Sequence, residues 1–364
     1  MAEIINAKPA PESSISTEVG TEHKRRVRYK GTHPRNYKEK YKELAPEKYA
    51  EDIAKVIERG STPAGMHISI CVKEILEFLQ IKPGQTGLDA TLGYGGHTQE
   101  MLKCLDGKGH LYGLDVDAIE IEKTKNRLLN LGYGEDILSV VQLNFANIDK
   151  VAESAGKFDF VLADLGVSSM QIDNPDRGFS YKTVGPLDLR LNPLKGESAA
   201  ERLKYITQAE FEGMLIENAD EVYAKEISRA VVLKISKGIE ISTTTALRDT
   251  IDEALAFLPK EGRKDAVKKS CQRTFQALRI DVNSEFEVLY EFLEKLPTVL
   301  AKGGRVAILS FHSGEDRLVK KSFKQLKRDG IYSEIASEII RPSQEECYIN
   351  PRASSAKMRW AIKA

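Results

Sequence analysis

The chain has 364 residues, with 54 Lys plus Arg against 54 Asp plus Glu and a formal net charge of zero. Whole-molecule charge therefore implies no acidic partner, and any nucleic-acid surface must be a local patch. Four cysteines, Cys71, Cys104, Cys271 and Cys347, lie far apart with no C-x-x-C pair, which argues against a zinc ribbon, a metal site or a disulfide framework and suits a reducing cytoplasm.

No apolar run approaches the roughly 18 residues that a membrane span needs, and the first residues lack a basic region followed by an apolar core, so neither export nor a membrane partner is expected. Residues Met1 to Glu22 are polar without a periodic apolar face and are expected to be disordered. His23 to Lys42 then carries nine Lys or Arg against one Glu, with three tyrosines interleaved. Such an arm suits a phosphate backbone and stacked bases, or is simply a solvated tail. Pro46 to Arg59 reads as a helix with Ile53, Val56 and Ile57 on one face, and Gly60 to Gly65 as a linker.

A helix over Cys71 to Leu79 leads into the stretch that organises the chain, Leu88-Asp89-Ala90-Thr91-Leu92-Gly93-Tyr94-Gly95-Gly96-His97. It reads as a buried strand, a glycine-rich turn and the start of a helix running to Leu105. Gly93, Gly95 and Gly96 remove the Cβ atoms that would hold a ligand off the backbone. The helix would aim its first amides at that ligand. The next strand ends at Asp115, 20 residues after Gly95, where a doubly wound fold holds ribose hydroxyls. A third glycine of the dinucleotide pattern is missing, and Asp89 suits a cationic sulfonium better than a diphosphate. A methyl donor, S-adenosylmethionine, is therefore preferred over a nicotinamide nucleotide.

Ala118 to Leu131 reads as a helix, Ile137 to Leu143 as a third strand followed by Phe145, and Phe158 to Asp164 as a fourth. Alternating α and β segments predict a parallel sheet with its ligand beyond the strand carboxyl ends, which puts Asp164 near the transferred methyl. From Gln171 the rhythm stops, and Ala199 to Leu258 reads as several helices. Glu285 to Leu296 is a further helix, and a strand returns at Gly303 to Phe311. Basic clusters follow at Arg263, Lys264, Lys268, Lys269 and Arg273 and again at Asn350 to Trp360, either phosphate-binding or ordinary surface. The expected division is an N-terminal extension over 1–62, a methyltransferase domain over 63–172 and 276–364, and an inserted helical domain over 173–275.

The motifs DATLGYGGH, DLGVSS, DRGFSY, GPLDLR, RTFQALRI, SFHSGEDR and NPRASSAKMR, in that order from about His67 to the C-terminus, resemble the RsmH (MraW) family of bacterial methyltransferases. The resemblance implies a class I adenosylmethionine fold, a Rossmann-like doubly wound sheet with an inserted helical domain. It implies methylation of N4 of a cytosine in small-subunit (16S) ribosomal RNA, with RNA or the 30S particle as substrate partner and a homodimer as a possible state. Cofactor contacts carried over by motif would fall on Gly95, Gly96, His97, Asp115, Phe145, Asp164 and Gln171, beside Asp89 and Gly93 from the turn itself. Asp164 is the leading candidate to accept an amine proton, with His312 and Asp316 as further catalytic candidates. Phe179, Tyr181 or Phe311 would stack on the target base. Two departures from the family pattern stand out: Ser270-Cys271-Gln272-Arg273 replaces His-Pro-Ala-Thr-Arg, and Gly314 replaces a leucine. A paralogue with another RNA target, or a non-catalytic RNA-binding assembly factor, is the alternative.

Overall fold

The computed structural model describes residues 69–364. The expectations for the first 68 residues, the polar tail, the basic arm, the helix at Pro46 to Arg59 and the linker, lie outside the described residues.

A seven-stranded sheet with order β3-β2-β1-β4-β5-β7-β6 forms the centre. Its first half alternates strictly with helices: α1 (Val72–Leu79), β1 (Thr86–Asp89), α2 (Gly96–Leu105), β2 (His110–Asp115), α3 (Ala118–Asn130), β3 (Leu138–Gln142), α4 (Ile148–Ala155) and β4 (Phe158–Asp164). β4 is apolar along most of its length and buried nearly throughout, as a strand covered on both faces must be. β1 pairs in parallel with both β2 and β4. The strand order reverses between β1 and β4, and this switch point opens a crevice beyond their carboxyl ends.

The chain then leaves the sheet through the short helix α5 (Ser169–Asp173) and a loop, and builds α6 (Ala199–Leu203), α7 (Gln208–Ala219), α8 (Ala224–Ser236), α9 (Thr244–Ala254) and α10 (Lys260–Asn283). Capping boxes start three of these helices, with Ser168 and Gln171 at α5, Ser198 and Glu201 at α6, and Thr207 and Glu210 at α7. α10 breaks near its start at Gly262, φ 80°. It is shared between the two halves: its first part packs in the helical lobe and its C-terminal end faces the sheet crevice, so the 275/276 position falls within one helix.

The sheet resumes with α11 (Glu285–Val299), β5 (Leu300–Ser310), α12 (Ser313–Arg328), β6 (Tyr332–Ile335), α13 (Gln344–Ile349) and β7 (Lys357–Lys363). Here the parallel expectation needs correcting, because β7 runs antiparallel to both β5 and β6. The end of the basic stretch Asn350 to Trp360 is thus partly strand. Arg359 is buried on β7 against Asp316, with Nε 2.6 Å from Oδ1.

Three apolar cores result. On one sheet face Ile148, Val151, Phe292, Leu296, Val319 and Phe323 from α4, α11 and α12 pack on β4 and β5. On the other, Ile75, Leu79, Met101, Leu102, Ile121 and Leu128 from α1 to α3 pack with Leu111 of β2, Phe160 and Leu162 of β4 and Leu309 of β5. A separate core inside the lobe joins Phe211, Leu215, Ile227, Val231, Leu247, Ile251 and Leu278. Burying each such side chain contributes about 1.5–3 kcal/mol, so the lobe holds its own shape while the sheet holds the crevice. No helix among the described residues is long and apolar enough to cross a membrane.

Candidate active site

A cavity of about 1000 Å³ lies over the switch point, walled by the strand ends on one side and by the lobe on the other. The glycine-rich turn forms its floor. Gly93 (φ 49°) and Gly95 (φ 76°) both take left-handed backbone, which glycine adopts without steric cost. The Gly93 amide donates to Asp115 Oδ2 at 2.7 Å, and its carbonyl accepts from Thr124 Oγ1 at 2.6 Å. A Cβ on Gly95 would meet Thr124, Arg127 and Leu128 of α3 at 3.0–3.1 Å. Gly95 therefore serves close packing and caps α2, while Gly93 and Gly96 face the cavity.

Three aspartates converge from three strand ends. Asp89 is buried beneath the floor, outside the cavity lining: Oδ2 accepts from Thr98 Oγ1 at 2.6 Å and Oδ1 from the Thr91 amide at 3.1 Å. It ties the end of β1 to α2. Burial pushes its carboxyl above the usual range. Asp115 lines the cavity, with Oδ1 accepting the Asp117 amide at 2.8 Å. Burial pushes its carboxyl up to about 6, against the Asp117 and Gly93 amides, which pull it down.

Asp164, at the end of β4, also lines the cavity. Its amide donates to Thr91 Oγ1 at 2.6 Å, and its Oδ1 is buried with no hydrogen-bond partner among the described residues. Burial pushes this carboxyl up to about 6; His97 lowers it and the negative charges of Asp89 and Glu315 raise it further. His97 Nδ1 lies 3.6 Å from Asp164 Oδ2, and His97 Nε2 lies 2.9 Å from the Ile70 carbonyl. Because a carbonyl only accepts, Nε2 carries a hydrogen, and Nδ1 is the ring atom that faces Asp164.

Phe145 lines the cavity and also meets Phe292 edge-on at 5.1 Å, so the same ring joins the core and borders the space. Gln171 lines the cavity, its Nε2 donating to Asp117 Oδ2 at 2.9 Å. Phe179, Tyr181 and Phe311 all border the space.

The loop after β5 departs from expectation. His312 lines the cavity, but Asp316 does not; it is bound by Arg359 and approached by Lys357. Glu315 takes the inward position instead. His312 caps α12, and the side chain of Glu315 at the third helical position reaches back, Oε2 accepting the Phe311 amide at 2.9 Å. Burial pushes the Glu315 carboxyl up, yet His312, Arg279 and the Phe311 amide outweigh it and hold the group below its ordinary value. The capping-box spacing from His312 was the signal for Glu315.

Beside it, Arg279 grips Glu285 with both arms, Nε to Oε1 at 2.7 Å and a terminal nitrogen to Oε2 at 2.9 Å. Glu285, His312 and Glu315 each bring one donor atom within 4.8 Å of the others. The Arg279 guanidinium already supplies a positive charge to that cluster. Cys71, Glu74 and Glu346 make a second such group, in which Glu346 Oε1 accepts the Cys71 amide.

The two departures from the family pattern now have physical content. Ser270 and Cys271 point into the lobe: Ser270 Oγ donates to Glu221 Oε1 at 2.9 Å, and Cys271 sits in the core with its thiol pushed up to about 12 by burial. Only Gln272 of that run lines the cavity. At Gly314, a Cβ would meet the ring of Phe286 at 2.5 Å, and that ring lies 5.8 Å from His312. Phe286 thus fills the space where a residue-314 side chain would go. No cysteine lines the cavity.

The residues fit an adenosylmethionine-type group: a glycine floor open to a ligand, acids at the ends of β2 and β4, an orphaned Asp164 oxygen, and negative potential suited to a cationic sulfur. A model of the MraW methylase family matches residues 64–364. The chain belongs to the MraW methylase family.

Within this family the chain is 74% identical over 342 residues to "Ribosomal RNA small subunit methyltransferase H 1" of Lachnoclostridium phytofermentans, covering 94% of this chain and 93% of the relative. It is 69% identical to "Ribosomal RNA small subunit methyltransferase H 2" of Alkaliphilus metalliredigens, covering 93% and 97%. A relative from Clostridioides difficile named without a number, "Ribosomal RNA small subunit methyltransferase H", is 38% identical and covers 82% of this chain and 98% of its own length. Among solved structures, a SAM-dependent O-methyltransferase of Thermotoga maritima aligns with 80% of this chain and 64% of its own at 10% identity and a TM-score of 0.36.

Proposed function

We propose that this member of the MraW methylase family transfers a methyl group from S-adenosylmethionine to the exocyclic N4 of a cytosine in small-subunit ribosomal RNA. The observation that carries the reading is the buried, unpartnered Oδ1 of Asp164 at the cavity wall, with His97 Nδ1 3.6 Å from the other carboxylate oxygen. The names of the closely matching relatives support the RNA class.

Gly93, Gly96 and Asp115 would hold adenosylmethionine, which when bound would supply an electrophilic methyl on a positively charged sulfur. The protein's task is then alignment and proton handling. The lone pair of a cytosine amine is spread into the ring, so an acceptor on one N4 hydrogen returns density to the nitrogen. In this reading Asp164 Oδ1 accepts that hydrogen and receives the proton displaced as the N–C bond forms and the S–C bond breaks, an assignment supported by its lack of another partner. Phe179, Tyr181 and Phe311 offer faces for a base taken out of its stack. A C5 transfer would need a cysteine nucleophile, and the cavity lining contains none.

Free RNA and the 30S particle are both candidate forms of the substrate, and assays with each separate them. We take the cytoplasm as the site of action, since the proposed substrate is a bacterial small subunit. Pairing of two copies is tested by light scattering, where twice the chain mass supports a homodimer. Mapping modified cytosines in 16S RNA from cells with and without this gene tests the whole reading. Loss of one N4-methylcytosine on deletion supports it, loss at a different RNA site assigns a paralogue's target, and an unchanged map refutes it.

A further inference from the structure

The loop over residues 189–196 forms part of the acceptor wall through Leu189, Leu191, Asn192 and Lys195, yet it has little secondary structure of its own. What holds it is Arg177. This guanidinium is buried, and one terminal nitrogen donates to Asp117 Oδ2 at 2.6 Å while the other donates to the carbonyls of Arg190 and Leu191 at 3.0 and 2.8 Å. The Arg177 carbonyl in turn accepts the Leu189 amide at 3.2 Å. Leu189 is fully buried in the lobe core and held at φ 65°, a conformation that a leucine keeps only when its surroundings impose it.

At the other end of the same ion pair, Asp117 donates its amide to Asp115 and accepts from Gln171, both donor-side residues of the cavity. Asn283 at the end of α10 completes the frame, its Nδ2 donating to the Leu189 carbonyl and its Oδ1 accepting the Leu191 amide. One buried carboxylate and one planar cation therefore connect the acid at the ribose end to the acceptor loop. A lysine could not hold both carbonyls and the carboxylate together, because it lacks the fixed fork.

We propose that Arg177 is a positioning residue for methyl transfer: through Asp117 it sets the 189–196 loop in register with the donor pocket. The proposal rests on the methyltransferase reading above. Misplacement of a reacting group by about 1 Å costs on the order of 100-fold in rate.

The test compares Arg177→Met and Arg177→Lys in the full chain by three readouts. These are kcat and KM for adenosylmethionine with 16S RNA or 30S particles, donor affinity by calorimetry, and the rate of tryptic cleavage after Lys195. For folded Arg177→Met, kcat should fall on the order of 100-fold while donor affinity stays within about threefold. Cleavage after the exposed Lys195 should quicken by about tenfold as the loop loses its anchors. Arg177→Lys should fall between. Should Arg177→Met fail to fold, Asp117→Asn combined with Arg177→Met removes both charges and carries the same measurements.

Wild-type kcat and wild-type cleavage in the folded variant would overturn the proposal, as would a rate loss fully accounted for by weaker donor binding. If the wild-type protein methylates no RNA, the functional reading fails by itself. The cleavage rates then still decide whether Arg177 holds the loop.

Discussion

The donor wall and the acceptor wall of the cavity are built on different principles. On the donor wall, partners are close along the chain: Asp89 with Thr98, Gly93 with Asp115, Asp115 with Asp117. On the acceptor wall they are distant: Arg177 with Asp117, Leu191 with Asn283, Arg352 with Asp173. The donor wall is thus a property of one strand-turn-helix unit repeated twice, whereas the acceptor wall exists only when lobe, sheet and C-terminal segment have all docked. The first should tolerate changes in the lobe, and the second should be sensitive to changes in either half.

Asp164 stands where the walls meet, and its replacement is expected to have the largest effect. Asp164→Ala should lower kcat by about 100- to 10,000-fold. The melting transition should stay near wild type, because Oδ1 has no partner to lose. A turnover within tenfold of wild type would remove Asp164 from the chemistry.

A pH titration probes the donor wall and its junction with the acceptor wall. Burial raises the carboxyls of Asp115 and Asp164 from 3.8 to about 6, so the ligand-free fold binds their protons more tightly than the unfolded chain does. Their contribution to stability is therefore fully present below about pH 4 and lost as pH rises through about 6. A cationic donor favours the ionised forms, so its binding runs the other way. Affinity for adenosylmethionine should weaken by up to about tenfold per pH unit and per carboxyl below pH 6. Calorimetry near pH 6 should show proton release on binding. Affinity that is flat between pH 5 and 7 would contradict this.

Gly314→Leu acts on the acceptor wall alone. The added side chain displaces Phe286 from beside His312, and kcat should fall by about tenfold with donor affinity unchanged. Adding Phe286→Ala should restore much of it; failure of the pair to recover activity would show that the two positions do not share space. The smallest effect is expected at Gly95→Ala, which crowds Thr124 and Leu128 at φ 76°. About 1–3 kcal/mol of stability should be lost in a denaturant titration, with turnover at low temperature retained.

The same contrast explains what could be read from the chain. The glycine turn and the acid 20 residues later are local, so β1, α2, β2 and their cavity face were legible at once. The acceptor wall was not, because its signals depend on docking. Asp316 and Glu315 are adjacent carboxylates in sequence, and only the position of Arg359 on β7 decides which one faces inward. β7 itself was masked by Lys357, Arg359 and Lys363, which break the apolar alternation of a buried strand; Arg359 is tolerated there because Asp316 neutralises it. Arg177 looked like one member of a polar loop, and its role appears only when residues 60 positions apart meet.

One measurement decides most directly whether Asp164 serves N4 transfer. Purified protein is incubated with 16S RNA or 30S particles and adenosylmethionine labelled on the methyl group, and the RNA is digested to nucleosides. Label should appear in N4-methylcytidine with wild-type protein and vanish with Asp164→Ala, although both bind the donor. Label in 5-methylcytidine, in another nucleoside, or in no RNA product at all would contradict it.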